Sequence, residues 1–360
     1  MFVRWNELTI EAESQASLPG YREPAVVRHF DAPVALETRF YEVRARSVLN
    51  KVPEASKMPF RWTVNPYRGC SHACTYCFAR PTHTFLGMDA GRDFEKEIVV
   101  KVNAPEVLRA ELGRPSWRGE HVAMGTNTDP YQWVEGRYGL MRGIWEALRD
   151  ARNPCSVLTK SPLLLRDLDL LQEIAAVAPV SAALSIPTID DKMWRATEPH
   201  TPSPRARFEA VRALNDAGIP TGILVAPLMP GINDDPGQVE RILDAAAEAG
   251  ATSVGGIGLH LRPGVREVFL DWLRTARPDL VGRYERLYAR GSYLPREEQE
   301  RLGGLLRSER AGRPPWRGPS WREAVARAQQ EFARLDAEVA EGRGRRGPGA
   351  VAAAPQASLF

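Results

Sequence analysis

Residues 65–80 read NPYRGCSHACTYCFAR, and this stretch decides how the rest of the chain is to be read. Cys70, Cys74 and Cys77 stand in C-x3-C-x2-C spacing, directly after a short strand-like run at Arg61 to Asn65 (RWTVN). The chain has four cysteines in 360 residues, and the fourth, Cys155, stands alone. A secreted disulfide scaffold would use many more, at wider spacings. Three clustered thiols point instead to a metal, because thiolates bind soft metals and iron–sulfur clusters. Three ligands on one tight loop can hold three irons of a cubane. They leave the fourth iron open to a small molecule, as a catalytic zinc keeps one open position. The rival is structural zinc with His72 or His83 as fourth ligand. Structural zinc sites usually combine two separated halves, and here there is one. His72 lies between two ligands, where tetrahedral reach is strained. His83, six residues past Cys77, is the better zinc candidate.

Outward from the loop, strand and helix patterns alternate. Five more strand candidates follow Arg61 to Asn65: Glu120 to Gly125, Cys155 to Thr159, Val180 to Ile186, Thr221 to Ala226 and Ser253 to Leu259. Helical patterns fall at Pro105 to Gly113, Tyr138 to Ala151, Leu163 to Ala178, Pro204 to Ala217 and Pro236 to Ala249. Gly218 and Gly250 follow the last two, as helix-closing residues. Such alternation predicts an α/β fold with parallel strands and right-handed crossovers. Six units are too few for a full eight-stranded barrel. A partial barrel and a doubly wound sheet both satisfy the pattern, and either places the site at the C-terminal ends of the strands.

The flanks read differently. Residues 1 to about 36 mix Pro, Gly and charge without a sustained period, which predicts a loose arm. Phe40 to Asn50 predicts an edge strand or a short helix. After Leu261 come helical patterns at Val265 to Thr275, Asp279 to Arg290, Arg296 to Ser308 and Ser320 to Ala340. From Glu341 the composition of Gly, Ala, Pro and Arg predicts a disordered tail. The expected division is an N-terminal arm (1–55), a core (56–262), an Arg-rich helical extension (263–340) and a tail (341–360). No run of about 18 uncharged apolar residues exists, so no membrane helix is expected. The N-terminal MFVRWNELTIEAES lacks a signal-peptide pattern, so a cytoplasmic setting is expected. Net charge is +3, but Arg262 to Arg346 holds 19 Arg, no Lys and 13 acidic residues. That third could face phosphates, since Arg forks suit bidentate contact. An Arg-rich solvated helical surface is the plainer explanation.

C-x3-C-x2-C with Tyr76 before the last cysteine resembles the signature of radical S-adenosylmethionine (radical SAM) enzymes. The surroundings narrow the resemblance. RSVLNKVP (46–53), MPFRWTVNPYRGCSHACTYCFARPTH (58–83), MGTNTDPYQ (124–132) and PLMPGIND (227–234) resemble a bacterial group related to spore photoproduct lyase. The resemblance spans roughly residues 40 to 290 and implies a partial (βα)6 barrel of the TIM type. It implies a [4Fe–4S] cluster on Cys70, Cys74 and Cys77, with S-adenosylmethionine chelating the open iron. One electron, from a donor such as flavodoxin or ferredoxin, would cleave the sulfonium and yield a 5′-deoxyadenosyl radical. The cofactor carries this chemistry, while protein groups position it and exclude water.

The resemblance also implies roles at the strand ends. Thr126, Asn127 and Thr128 would meet the methionine amino group, and Lys160 its carboxylate. Ser185 would bond the ribose. Tyr76 would pack near adenine, and Ile257, Gly258 and Leu259 would offer it backbone groups. Asp129, Tyr131 and Gln132 are the candidates for the substrate side. One departure matters: where spore photoproduct lyase has a hydrogen-donating cysteine near the end of its second strand, this chain has Thr126. Cys155 begins the third strand, about 16 Å from the strand ends at roughly 3.3 Å per residue. It reads as a small core residue, so thymine-dimer reversal by the same route is in doubt.

The last five residues, QASLF (356–360), resemble the peptide by which bacterial repair proteins hold the DNA sliding clamp. Gln356 would fix register while Leu359 and Phe360 fill a pocket. Gln15 to Leu18 repeats QASL, so a short match of this kind arises by chance as well. The expected function is a radical SAM enzyme acting on DNA. The alternatives are RNA, protein or a small molecule as substrate, and a zinc-containing nucleic-acid-binding protein.

Overall fold

The computed structural model describes residues 10–30, 37–56 and 58–307. Its strands are β1 (Ile10–Ala16), β2 (Ala25–Phe30), β3 (Arg39–Val43), β4 (Leu49–Lys51), β5 (Trp62–Val64), β6 (Tyr67–Arg68), β7 (Glu97–Lys101), β8 (Val122–Met124), β9 (Cys155–Thr159), β10 (Val180–Ser185), β11 (Thr221–Leu228) and β12 (Val254–Gly258). The larger sheet runs β12-β11-β10-β9-β8-β5-β4. From β5 to β12 all neighbours are parallel, and β4 pairs antiparallel with β5 at the edge. Among the described residues no pairing joins β12 to β4, so the sheet stays open. The six predicted units are present, in a mixed α/β partial barrel.

Burial explains the arrangement. All six residues of β10 (VSAALS) are buried, as a central parallel strand covered on both faces requires. The helix Leu140–Asp150 turns Leu140, Met141, Ile144, Trp145 and Leu148 inward, at helical spacing. Side-chain caps start the crossover helices: the Ala206 N–H donates to Ser203 Oγ (3.2 Å) and the Gln238 N–H to Asp235 (2.8 Å). Leu163 to Ala178, expected as one helix, divides into a 3-10 turn (Pro162–Asp167) and a helix (Leu168–Ala175). The buried Asp167 carboxylate, held by Tyr131 and Arg166, sits at the division.

The N-terminal segment departs from the sequence reading. A second sheet runs β1-β2-β3-β7-β6. Ile10–Ala16 and Ala25–Phe30 are therefore paired strands, not parts of a loose arm. The Phe40 to Asn50 segment also divides. β3 lies inside the second sheet, and β4 edges the larger one. The pattern was obscured because the apolar residues of these strands face two separate clusters. Val27, Tyr41, Val43 and Val99 pack on one face, and Phe30, Phe40, Tyr67, Ile98 and Val100 on the other. β7 (EIVVK), buried along its whole length and matched by no expectation, joins them.

Helices Val265–Ala276, Val281–Leu287 and Arg296–Leu305 answer the first three expected after Leu261, and they bury Phe269, Leu273, Tyr284 and Leu302 in the main core. A Cβ on Gly258 would lie 2.9 Å from Leu294 Cδ1, which places the segment before the last helix hard against β12. The expected helix Ser320 to Ala340, the tail, and Gln356, Leu359 and Phe360 lie outside the described residues. Among the described residues, no helix is long and apolar enough to cross a membrane.

One glycine tests the packing at the strand ends. Gly125 follows β8 at φ +76°, and a Cβ there would sit 1.7 Å from the Leu158 carbonyl oxygen. Gly125→Ala is expected to cost at least about 3 kcal/mol in chemical denaturation. Gly304→Ala, with open space at its Cβ position inside a helix, should be neutral or stabilising by up to about 1 kcal/mol.

Candidate active site

β5 and β6 lead the chain from the larger sheet into the smaller one, and the cysteine loop begins one residue later. Gly69 opens it at φ +82°. A Cβ there would lie 2.9–3.0 Å from Ile98, His83 and the Phe94 carbonyl, so the position requires glycine. The Cys70 N–H donates to Phe94 O (2.9 Å) and the Thr75 N–H to Thr197 O (3.0 Å). Beneath the loop, Arg80 is 1% exposed. It donates twice to Cys74 O (3.1 and 2.9 Å), to Ala90 O and Gly91 O, and pairs with Glu95. On the other side Gln132 accepts from the Ser71 N–H (2.9 Å) and donates to Gly69 O (3.2 Å).

All three loop cysteines are free, and Cys70 and Cys74 are buried. Burial pushes the Cys74 and Cys77 thiols up, and the neighbouring thiols add to the effect. Lys160 opposes it at both. Thiols so placed ionise when a metal compensates their charge. Ser71 Oγ, His72 Nε2 and Thr75 Oγ1, interleaved with these cysteines, are buried without a hydrogen-bond partner. Among the described residues no three His, Cys, Asp or Glu side chains are arranged to hold a metal ion, but three thiols on one loop are the donor set that a thiolate-bound cluster takes. It fits zinc less well: His83 is fully buried against Phe94, with Nε2 on Glu97 O at 2.8 Å. His72 faces Asp129 (Nδ1 to Oδ2, 3.4 Å). Burial alone would lower the His72 pKa, but Cys70 and Asp129 raise it to about 9.

Behind the loop the strand ends gather polar groups. Lys160 Nζ donates to Ser185 Oγ (2.8 Å), lies 3.7 Å from Glu198 Oε1, and stands 5.8 Å from the Tyr76 ring centroid. The Tyr76 hydroxyl donates to Glu198. Arg207 reaches the same carboxylate at 2.5 Å and also donates to Ser185 O (2.8 Å). Glu198 and Arg207 are both fully buried. Burial opposes ionisation of Glu198, but Arg207 and Lys160 outweigh it and hold its pKa below the usual carboxylate range. Tyr76, Lys160 and Ser185, expected at the site, therefore meet around a carboxylate that the sequence reading did not name. The available signal was the Glu-Pro to Pro-Arg stretch at 198–205, where acidic and basic groups bracket a helix start.

The other expected residues separate. Thr126 and Asn127 are partly exposed at the end of β8, whereas Thr128 is buried and donates to Tyr67 O (2.9 Å). Ile257 is half exposed. Leu259 is committed: its N–H bonds Leu228 O (3.0 Å), and its carbonyl accepts from the Tyr288 hydroxyl (2.6 Å). The substrate-side candidates are tied into the scaffold by hydrogen bonds. Asp129 accepts from Thr159 Oγ1 (2.6 Å) and from the Lys160 and Tyr131 N–H groups. Tyr131 donates to Asp167 and accepts from Trp145. Tyr131 and Gln132 are fully buried. Cys155 is buried at the start of β9, with its thiol pushed up by burial.

A family model described as Radical SAM superfamily matches residues 64–246, just over half of the chain. A protein of Mycobacterium tuberculosis, named as uncharacterised, is 50% identical over 286 residues, which are 79% of this chain and 84% of that one. The chain belongs to the radical SAM superfamily. An uncharacterised protein of Methanocaldococcus jannaschii is 28% identical over 195 residues, 54% of this chain and 69% of its own. Among solved structures, a substituted spore photoproduct lyase with bound AdoMet and dinucleoside spore photoproduct superposes with TM-score 0.57 at 17% identity. That match covers 74% of this chain and 76% of the other. Spore photoproduct lyase complexed with the same dinucleoside gives 0.54 at 16% identity, covering 74% and 77%. At these identities the likeness is one of fold.

The buried pair makes a test. Glu198→Ala leaves Arg207 without a carboxylate and should cost about 3–5 kcal/mol in denaturant unfolding. Combining Glu198→Gln with Arg207→Met removes both charges and should recover more than half of that loss. Additive losses in the double variant would mean the two side chains do not act as a pair.

Proposed function

We propose that this radical SAM enzyme holds a [4Fe–4S] cluster on Cys70, Cys74 and Cys77, binds S-adenosylmethionine over the strand ends, and acts on DNA. The observation that supports the reading is three free thiols on one loop, two of them within the influence of the Lys160 charge, with Lys160 bonded to Ser185 and set over the Tyr76 ring. When bound, cluster and S-adenosylmethionine would supply radical hydrogen-atom abstraction. The chain's own groups position and exclude. Lys160 presents an ammonium to a carboxylate, steered by Ser185 and Glu198. Tyr76 offers a ring edge fixed by its own hydroxyl bond. Thr126 and Asn127 keep side-chain polar groups available for an amino group, and Ile257 and Gly258 lie at the last strand end. Asp129, Tyr131 and Gln132 act as positioning residues.

The fold likeness to spore photoproduct lyase, solved with a dinucleoside lesion, supports DNA over RNA, protein or a small molecule. The hydrogen-donor route differs, because Thr126 stands where that family has a cysteine and Cys155 lies at the far end of its strand. The exact reaction is thus a radical conversion with its own quenching step. Free thiols fit a reducing, cytoplasmic setting with a flavodoxin- or ferredoxin-like electron donor.

Cys70→Ala, Cys74→Ala and Cys77→Ala should each lose iron and the brown absorbance after anaerobic reconstitution. Cys155→Ala should keep about four irons per chain. One tightly held zinc without visible absorbance would instead establish the zinc reading.

Lys160→Ala should keep its iron and bind S-adenosylmethionine roughly 10- to 150-fold more weakly, as loss of a charge-assisted contact predicts. Equal dissociation constants in calorimetry would remove Lys160 from the site.

The QASLF end supports a sliding clamp as partner. Deleting Gln356 to Phe360, or changing Leu359 and Phe360 to Ala, should abolish binding to a purified bacterial clamp at tens of micromolar, an affinity range set by the ordering cost of a short peptide. Iron content should be unchanged.

A further inference from the structure

The loop after β12 carries a group of side chains that the cofactor reading does not use. His260 and Tyr293 stack with ring centroids 4.1 Å apart and planes within 14°. Tyr293 nonetheless remains 68% exposed. The Leu261 N–H bonds Ser292 O (2.9 Å), which ties the two segments together. Arg262, two residues from His260, donates from Nε (3.0 Å) and Nη2 (2.7 Å) to the carbonyl of Phe78. Phe78 follows Cys77 directly and is itself half exposed. The exposed stack thus adjoins the cysteine loop at the C-terminal end of the sheet, where the site lies.

The charges around it are one-sided. Residues 260–296 contain eight Arg against four Asp and Glu. Arg274, Arg277, Arg283 and Arg296 each pair with a carboxylate. Arg262 and Arg290 have no such partner among the described residues, and Arg290 is exposed three residues before Tyr293. Burial and the neighbouring Arg262 charge hold the His260 pKa below its ordinary value. Exposed aromatic faces beside uncompensated guanidinium groups match a flat base carried on a phosphate backbone.

We propose that Tyr293, backed by His260, is a stacking ledge for an unpaired base of DNA, with Arg262 and Arg290 facing the adjoining phosphates. The ledge rests on the DNA reading above and adds to it: the substrate strand is unpaired at this point. An unpaired base exposes the face that stacking needs, whereas a base inside a duplex does not.

The test uses the full chain and fluorescence anisotropy with labelled oligothymidylate, the same sequence as a duplex, and oligouridylate. The intact protein should bind the single strand more tightly than the duplex or the RNA. Tyr293→Leu should weaken that binding roughly 5- to 150-fold, the range of a lost base–aromatic stack, while Tyr293→Phe retains it. Arg290→Gln should lower the slope of log K against log salt by about 0.7, as loss of one phosphate contact on a single strand requires. His260→Ala supplies a second variant should Tyr293→Leu fail to keep the wild-type melting midpoint. Unchanged binding in Tyr293→Leu and His260→Ala would overturn the ledge and leave the DNA reading standing. No binding by the intact protein would overturn both. Equal binding to duplex would overturn the unpaired base, and tighter binding to oligouridylate would overturn DNA as the occupant.

Discussion

The site depends first on one buried guanidinium. A loop that carries three thiols within eight residues has little apolar surface with which to hold itself in place. Arg80 supplies the missing rigidity through bonds to the carbonyls of Cys74, Ala90 and Gly91 and to the Glu95 carboxylate. Few other side chains could do this, because the planar fork reaches several acceptors at once and keeps its charge when buried. Gln132 clamps the opposite side at Ser71 and Gly69. β6, paired with β7 of the second sheet, fixes where the loop begins. The second sheet therefore serves the site directly, although it lies outside the barrel.

A second constraint is electrostatic. One buried carboxylate, Glu198, serves two cations, Arg207 and Lys160, and also accepts the Tyr76 hydroxyl. Arg207 is fully enclosed and bound to it closely, whereas the Lys160 side chain keeps 16% of its surface open. The surplus positive charge therefore resides on Lys160, at the edge nearest the thiols. A buried ion pair is weak evidence for stability, since desolvation offsets much of the attraction. Its use here lies in orientation: it holds one partly desolvated ammonium between Ser185 and Glu198.

Much of this was legible in the sequence, and the limits have a physical origin. The six strands could be read because parallel strands buried on both faces leave continuous apolar runs. The cysteine loop could be read because its spacing is local. Lys160 and Ser185 could be read because a position at the end of a predicted strand is enough to place them. The N-terminal strands could not, since their apolar positions are few, short and divided between two faces. Tyr131 and Gln132 follow a strand end, but their hydrogen bonds reach partners 36 and 61–63 residues away, which a strand-end position does not announce. Glu198 meets Tyr76 across 122 residues. Periodicity reports the face of an element and carries no information about such distant polar partners.

The open sheet sets a final requirement. Radical chemistry needs a site closed to water, and six strands do not close a barrel by backbone pairing. The closure falls to side chains and to the C-terminal helices. Tyr288 bonds Leu259 O, Leu294 covers Gly258, and Arg262 grips the Phe78 carbonyl on the cysteine loop. The Arg262 contact joins the loop after the last strand to the loop after the first parallel one, across 184 residues. A mouth built in this way is made of loop residues on a fixed scaffold, which is where recognition is most readily varied without disturbing the core. The cysteine loop and the loop after β12 thus share one boundary, and a side chain placed on it can bear on both.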